Sequence, residues 1–159
     1  MSDSVTGNDG YLVVDVRDTK ESFRRTRVPD GPDPIVGKFS FVIDIAAVAG
    51  DVYLPVSIAS GKKPTGFVYQ IEGTVRGFIS TTDISCTGEG ITQITLGTIV
   101  YCKIPKGMTA TFRIRVEMKG QVGKSYRIVI RQIQYKRDPG DARYQRSPQD
   151  IRTKMLKFS

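Results

Sequence analysis

Four of the 16 carboxylates and both thiols of this 159-residue chain are the candidates for chemistry. The carboxylates are Asp44, Asp51, Glu72 and Asp83, spread singly over strands and turns. A glycosidase-like pair needs two carboxyl groups roughly 5–10 Å apart across a cleft, and no spacing here prescribes one. Asp51 and Asp83 fall where turns are expected, and there Asp bonds backbone amides. The chain holds no histidine. Ser-His-Asp, Cys-His and His-zinc chemistry are therefore excluded. No D-x-D-x-D-G run marks a calcium loop, and Lys106-Gly107 lacks the flanking glycines of a phosphate-binding loop. The expectation is a non-enzymatic protein with no catalytic residue, no metal site and no cofactor.

The thiols are Cys86 and Cys102. There is no C-x-x-C pair, which argues against zinc and thioredoxin-type redox chemistry. In an oxidising compartment Cys86 and Cys102 would form one disulfide; in a reducing one they would stay free.

Charge is unevenly placed. Residues 1–102 carry 9 Lys/Arg against 12 Asp/Glu, and residues 103–159 carry 15 against 4, within a net charge of +8. A basic half of this kind meets nucleic acid, another anionic polymer, or an acidic patch on a neighbouring subunit. Arg113, Arg115, Arg127 and Arg131 lie on strand positions of outward parity and form the candidate anion- or partner-binding face. Tyr135, Tyr144 and Phe158 are the aromatics nearest to it in sequence, as an RNA or single-strand platform would need. The bland alternative is a solvated face of arginine stems.

The elements that must position these residues read as strands. Phe39, Phe41, Ile43 and Ile45 alternate with Lys38, Ser40, Val42 and Asp44. Phe112, Ile114, Val116 and Met118 alternate with Arg113, Arg115 and Glu117. Tyr11–Arg17, Phe67–Glu72, Ile91–Ile94, Thr98–Ile104 and Tyr126–Ile130 follow the same two-residue period, the signature of half-buried strands. No stretch of helical period reaches a stable length; Thr19–Arg27 and Ser147–Lys154 offer single turns at most, and the final IRTKMLKFS reads as a last strand. No apolar run approaches the roughly 20 residues of a membrane helix. The opening MSDSVTGNDGY is polar, without the charged and apolar regions of a signal peptide. It suits a cytosolic protein or a mature form whose leader has been removed.

Val28–Pro34 (VPDGPDP) reads as a proline-rich linker, because proline lacks the ladder N–H. Arg137–Pro148 reads as a second loop. The division expected is 1–37 for an N-terminal strand and linker, 38–137 for the β-sandwich core and 138–159 for a C-terminal loop and extended segment, in one domain overall. After Met118, a tight hairpin would bring Arg115 near Arg127, an unfavourable like-charge pair. A crossing from one sheet to another avoids it. Tyr126 then stands at the corner, where immunoglobulin-like sandwiches place an anchoring tyrosine.

The order of Phe39 and Phe41, Gly50-Asp51-Val52-Tyr53-Leu54-Pro55, Gly66-Phe67 with Tyr69, Ser80-Thr81 with Asp83, Tyr101-Cys102-Lys103-Ile104-Pro105, Thr111-Phe112 and Ser125-Tyr126-Arg127-Ile128 resembles small immunoglobulin-like or fibronectin-like modules of secreted bacterial surface proteins. The likeness runs from Lys38 to Tyr135. It implies an all-β, immunoglobulin-like antiparallel sandwich of about seven to nine strands. It also implies an extracellular, non-enzymatic module whose partners are other protein subunits, in a homo-oligomer or larger assembly. The basic C-terminal half keeps a second class open: a virion or cytoplasmic protein that binds nucleic acid. The break at Ala46–Asp51 is expected to be a change of sheet, with Pro55 ending the short strand that follows.

Overall fold

The computed structural model describes residues 10–25, 35–58 and 66–159. The proline-rich segment Val28–Pro34 lies outside these. The described residues form eleven strands: β1 Leu12–Arg25, β2 Ile35–Ala47, β3 Val52–Ile58, β4 Phe67–Gly73, β5 Phe78–Thr87, β6 Thr92–Leu96, β7 Ile99–Ile104, β8 Thr109–Gly120, β9 Ser125–Tyr135, β10 Gln145–Arg152 and β11 Leu156–Lys157. All pairings are antiparallel, and no described residue is helical. Thr19–Arg25, where a helical turn was open, continues β1, and Ser147–Arg152 lies in β10.

One sheet has the order β1-β2-β8-β5. A second is centred on β9, with β4 on one side and β10 then β11 along the other. A small third sheet, β3-β7-β6, joins the second where Tyr53 and Lys136 exchange two backbone hydrogen bonds of 2.8 Å. The chain therefore crosses between sheets after β2 and again after β8, so Arg115 and Arg127 are not cross-strand neighbours. Strand β3 runs on past Pro55 to Ile58 through a register shift, so proline bends this strand instead of ending it.

Alternation decides which face is inside. Phe39, Phe41, Ile43 and Ile45 of β2 and Phe112, Ile114, Val116 and Met118 of β8 are all buried. Opposite them lie Tyr126, Ile128 and Ile130 of β9, with Leu54, Cys102 and Ile104 from the third sheet, in one core. Phe67 of β4 meets Phe112 of β8 edge-on at 5.6 Å, joining the sheets into a sandwich-like body.

Phe158 closes one end of it. Its ring lies 4.7 Å from Tyr126 and 5.9 Å from Phe23. Gly37 and Gly120 make the seat: a Cβ on Gly120 would come within 2.6 Å of both Phe158 and Tyr126, and one on Gly37 would enter the Phe158 ring. Glycine is required at both for close approach. Phe158→Ala is expected to cost about 3–5 kcal/mol through the cavity it opens, read as a lower urea midpoint with an unchanged slope.

Candidate functional site

The four arginines do not form one face. Arg113 and Arg115 project from β8 on the outer side of the first sheet, and Arg127 and Arg131 from β9 on the outer side of the second. Period two gave each strand's outward parity; the change of sheet between β8 and β9 divides the set.

On the second sheet the guanidinium groups are held by carboxylates. Arg127 contacts Glu72 at 2.6 Å. Arg131 reaches Glu72, Gln70 at 2.7 Å and Asp150 at 3.3 Å. Arg152 bonds Asp150 at 2.7 and 3.1 Å. Three arginines thus share two carboxylates across β4, β9 and β10. The Arg127 hydrogen bond holds Glu72 below its usual range, and the Arg152 hydrogen bond does the same for Asp150. This network binds strands together.

On the first sheet the side chains fall in rows across the strands. Lys20, Ser40, Arg115 and Asp83 make one row, and Asp18, Val42, Arg113 and Ser85 the next. The short Ser40 and Ser85 leave a shallow groove of about 370 Å³ between the longer cations. Arg115 and Asp83 are 3.7 Å apart and well exposed, a weak pair in water. Among the described residues no carboxylate reaches Arg113. Asp83 therefore sits within β5, beside Arg115, where a turn was expected. Asp44 accepts from Arg17 at 3.1 Å and from Thr111 at 2.7 Å. Asp51 accepts from the Lys106 amide at 2.9 Å, tying the β2–β3 turn to the β7–β8 turn. The four carboxylates thus occupy four separate places.

Tyr126 turns its hydroxyl to the β8–β9 corner, where it accepts from the Gln121 amide at 2.9 Å. Tyr135 and Phe158 are buried, Tyr135 stacked on Tyr11 at 5.8 Å, so neither can serve as a stacking platform for bases.

The thiols meet from different sheets. Cys86 ends edge strand β5 facing inward, half-buried, and Cys102 lies buried in β7, opposite Leu54 and Gln93. Both are free, and hydrogen bonding between the two thiols shifts both acidities. That bond brings Cys86 down to about 7, aided by the Gln93 amide at 3.7 Å and opposed by burial. The same bond and burial push Cys102 up.

Sequence reading missed a tyrosine–cation cluster. At the end of the sandwich where β3, β7 and the β9–β10 loop meet, Lys136 lies 4.9 Å from the Tyr144 ring and 5.8 Å from Tyr101. Lys103 lies 5.8 Å from Tyr53, and Arg137 lies 4.3 Å from Tyr11. The residues come from four distant segments, so no local motif could announce them. Also missed was an opening of about 660 Å³ beside the β4–β5 turn, lined by Tyr69, Ile71, Val75, Arg76, Phe78 and Ile79. The Tyr69 hydroxyl is buried with no hydrogen-bond partner among the described residues, and burial pushes its pKa up.

Fold and sites define an all-β antiparallel protein of sandwich-like build whose described strands include no helix long and apolar enough to cross a membrane. Family models, curated proteins and solved structures yield no match to the chain.

Depressed carboxylates stabilise the fold above their unfolded values and lose that contribution as pH falls through the folded ones. Glu72→Gln is expected to melt lower than wild type at pH 7, with the gap closing below about pH 4.5, the ordinary value for Glu. Melting curves between pH 7 and pH 2 check it; a gap that persists in acid would mean a packing defect instead.

Proposed function

We propose that the protein is a non-enzymatic structural or interaction module of immunoglobulin-like build, working in a cell-surface or filamentous assembly with copies of itself. The strand order supports the build. β1-β2-β8-β5 corresponds to strands A-B-E-D, and β4-β9-β10 to C-F-G, of an immunoglobulin constant-type sandwich. Strands β3, β6 and β7 are then an added sheet formed by the B–C and D–E connections. Tyr126, with its hydroxyl on the corner backbone, takes the tyrosine-corner position.

The observation that carries the assembly reading is the β6 edge. Pairings β1·β2, β3·β7, β4·β9, β5·β8 and β10·β9 each contain a register shift. Such bulges blunt an edge against further pairing. β6·β7 runs in register from Thr92 to Leu96, and no described strand lies beyond it. Leu96 there is 44% exposed. Strand addition by a second copy would satisfy the free backbone groups of β6. Sedimentation of wild type across a concentration series should show association, and Thr95→Lys with Leu96→Lys should abolish it while leaving the monomer's melting unchanged. A wild type that stays monomeric throughout removes this reading.

The groove on the first sheet favours a second reading, a nucleic-acid-binding or virion protein, because no carboxylate among the described residues reaches Arg113. Single-stranded RNA should then bind tightest at low salt, through counterion release. Arg113→Ala should weaken it roughly fivefold or more and reduce the salt slope by about one. No binding at low salt ends this alternative.

A further inference from the structure

We propose that Cys86 and Cys102 form a reversible dithiol–disulfide site, with Cys86 as the attacking and Cys102 as the resolving sulfur, which takes small-molecule disulfides of the oxidised-glutathione class. Both side chains pack into the one core, although their strands belong to different sheets, and Gln93 neighbours both. Cys86 stands at the edge strand β5, half-buried, where a small disulfide can approach. Cys102 is fully covered. Gln93, opposite Cys102 on β6, directs its amide to the Cys86 sulfur at 3.7 Å and so favours the thiolate there. Among the described residues no group of three Cys, Asp or Glu side chains gathers around the sulfurs, so the pair is short of a metal site.

The exchange balances without any other reagent. The Cys86 thiolate attacks one sulfur of the small disulfide, forming a mixed disulfide and expelling one thiolate. Cys102 gives up its proton to solvent or to the departing thiolate and attacks the Cys86 sulfur. The second small thiolate leaves, so two protein thiols are oxidised and one small disulfide is reduced to two thiols. The new bond ties β5 of the first sheet to β7 of the third.

The test is incubation of the full chain with oxidised and reduced glutathione in graded ratio, followed by alkylation and mass spectrometry. Wild type should lose both thiols together and gain one internal bridge, with a melting temperature raised by roughly 6–12 °C. Cys102→Ala should stop at the mixed disulfide on Cys86. Its alkylation at pH 7 should also fall about tenfold, because the thiolate loses its hydrogen bond. Wild type that accumulates the mixed disulfide, or does not react at ratios where free glutathione exchanges, overturns the proposal. Since wild type alone decides it, poor folding of the variant would not.

Discussion

The β2–β8 pairing is the interaction on which the rest of this molecule leans. It runs without a shift from Ile35 opposite Gly120 to Ala46 opposite Thr109. Along it, nine large apolar side chains, Ile35 included, point to one side. Fully burying each contributes about 1.5–3 kcal/mol, so their gross contribution is at least as large as the ~5–15 kcal/mol net stability of an ordinary domain. A slip of one residue would turn the slipping strand's whole apolar set to solvent. The register is therefore fixed, and with it the rows of outward side chains: Arg113 and Arg115 beside Val42 and Ser40 are a by-product of where the core must lie. Outer strands β1 and β5 are set on this frame and can afford bulges that the central pair cannot.

The same frame separates binding from holding. Charge on the β9 face is spent on its own strands, because Glu72 and Asp150 stand between three arginines. On the β8 face Arg113 stands between Val42 and Ser85, Arg115 between Ser40 and an exposed Asp83 that holds it only weakly, and both cations remain open to solvent. Two surfaces with similar arginine content thus differ in what they can do. The difference lies in which residues the register brings alongside.

How much of this was legible depended on burial. Strands with one wet and one dry face, β2 and β8 above all, announce themselves by period two. Strand β5 was missed as an element because, at a sheet edge, its inward residues Thr82, Ile84 and Cys86 are only partly covered and its sequence reads as polar. The Tyr126 corner could be read because one residue at a turn carries it. The pairing of Cys86 with Cys102 was open as a covalent question, while their opposite environments, one edge and one core, follow from sheet order. The tyrosine–cation cluster and the buried Tyr69 hydroxyl were illegible, since each is an encounter of segments far apart in the chain.

The seat of Phe158 carries a kinetic consequence. Its ring joins Phe23 on β1, Tyr126 on β9 and the glycines of β2 and β8. Contacts between residues so distant in sequence raise contact order, and all-β topologies of this sort fold over milliseconds to seconds. During synthesis the end of the sandwich stays unplugged until Phe158 has left the ribosome. Until then the faces of Gly37 and Gly120 are bare, and the nascent chain exposes apolar surface to its neighbours. The ring that covers this end is thus made only after all the strands it covers.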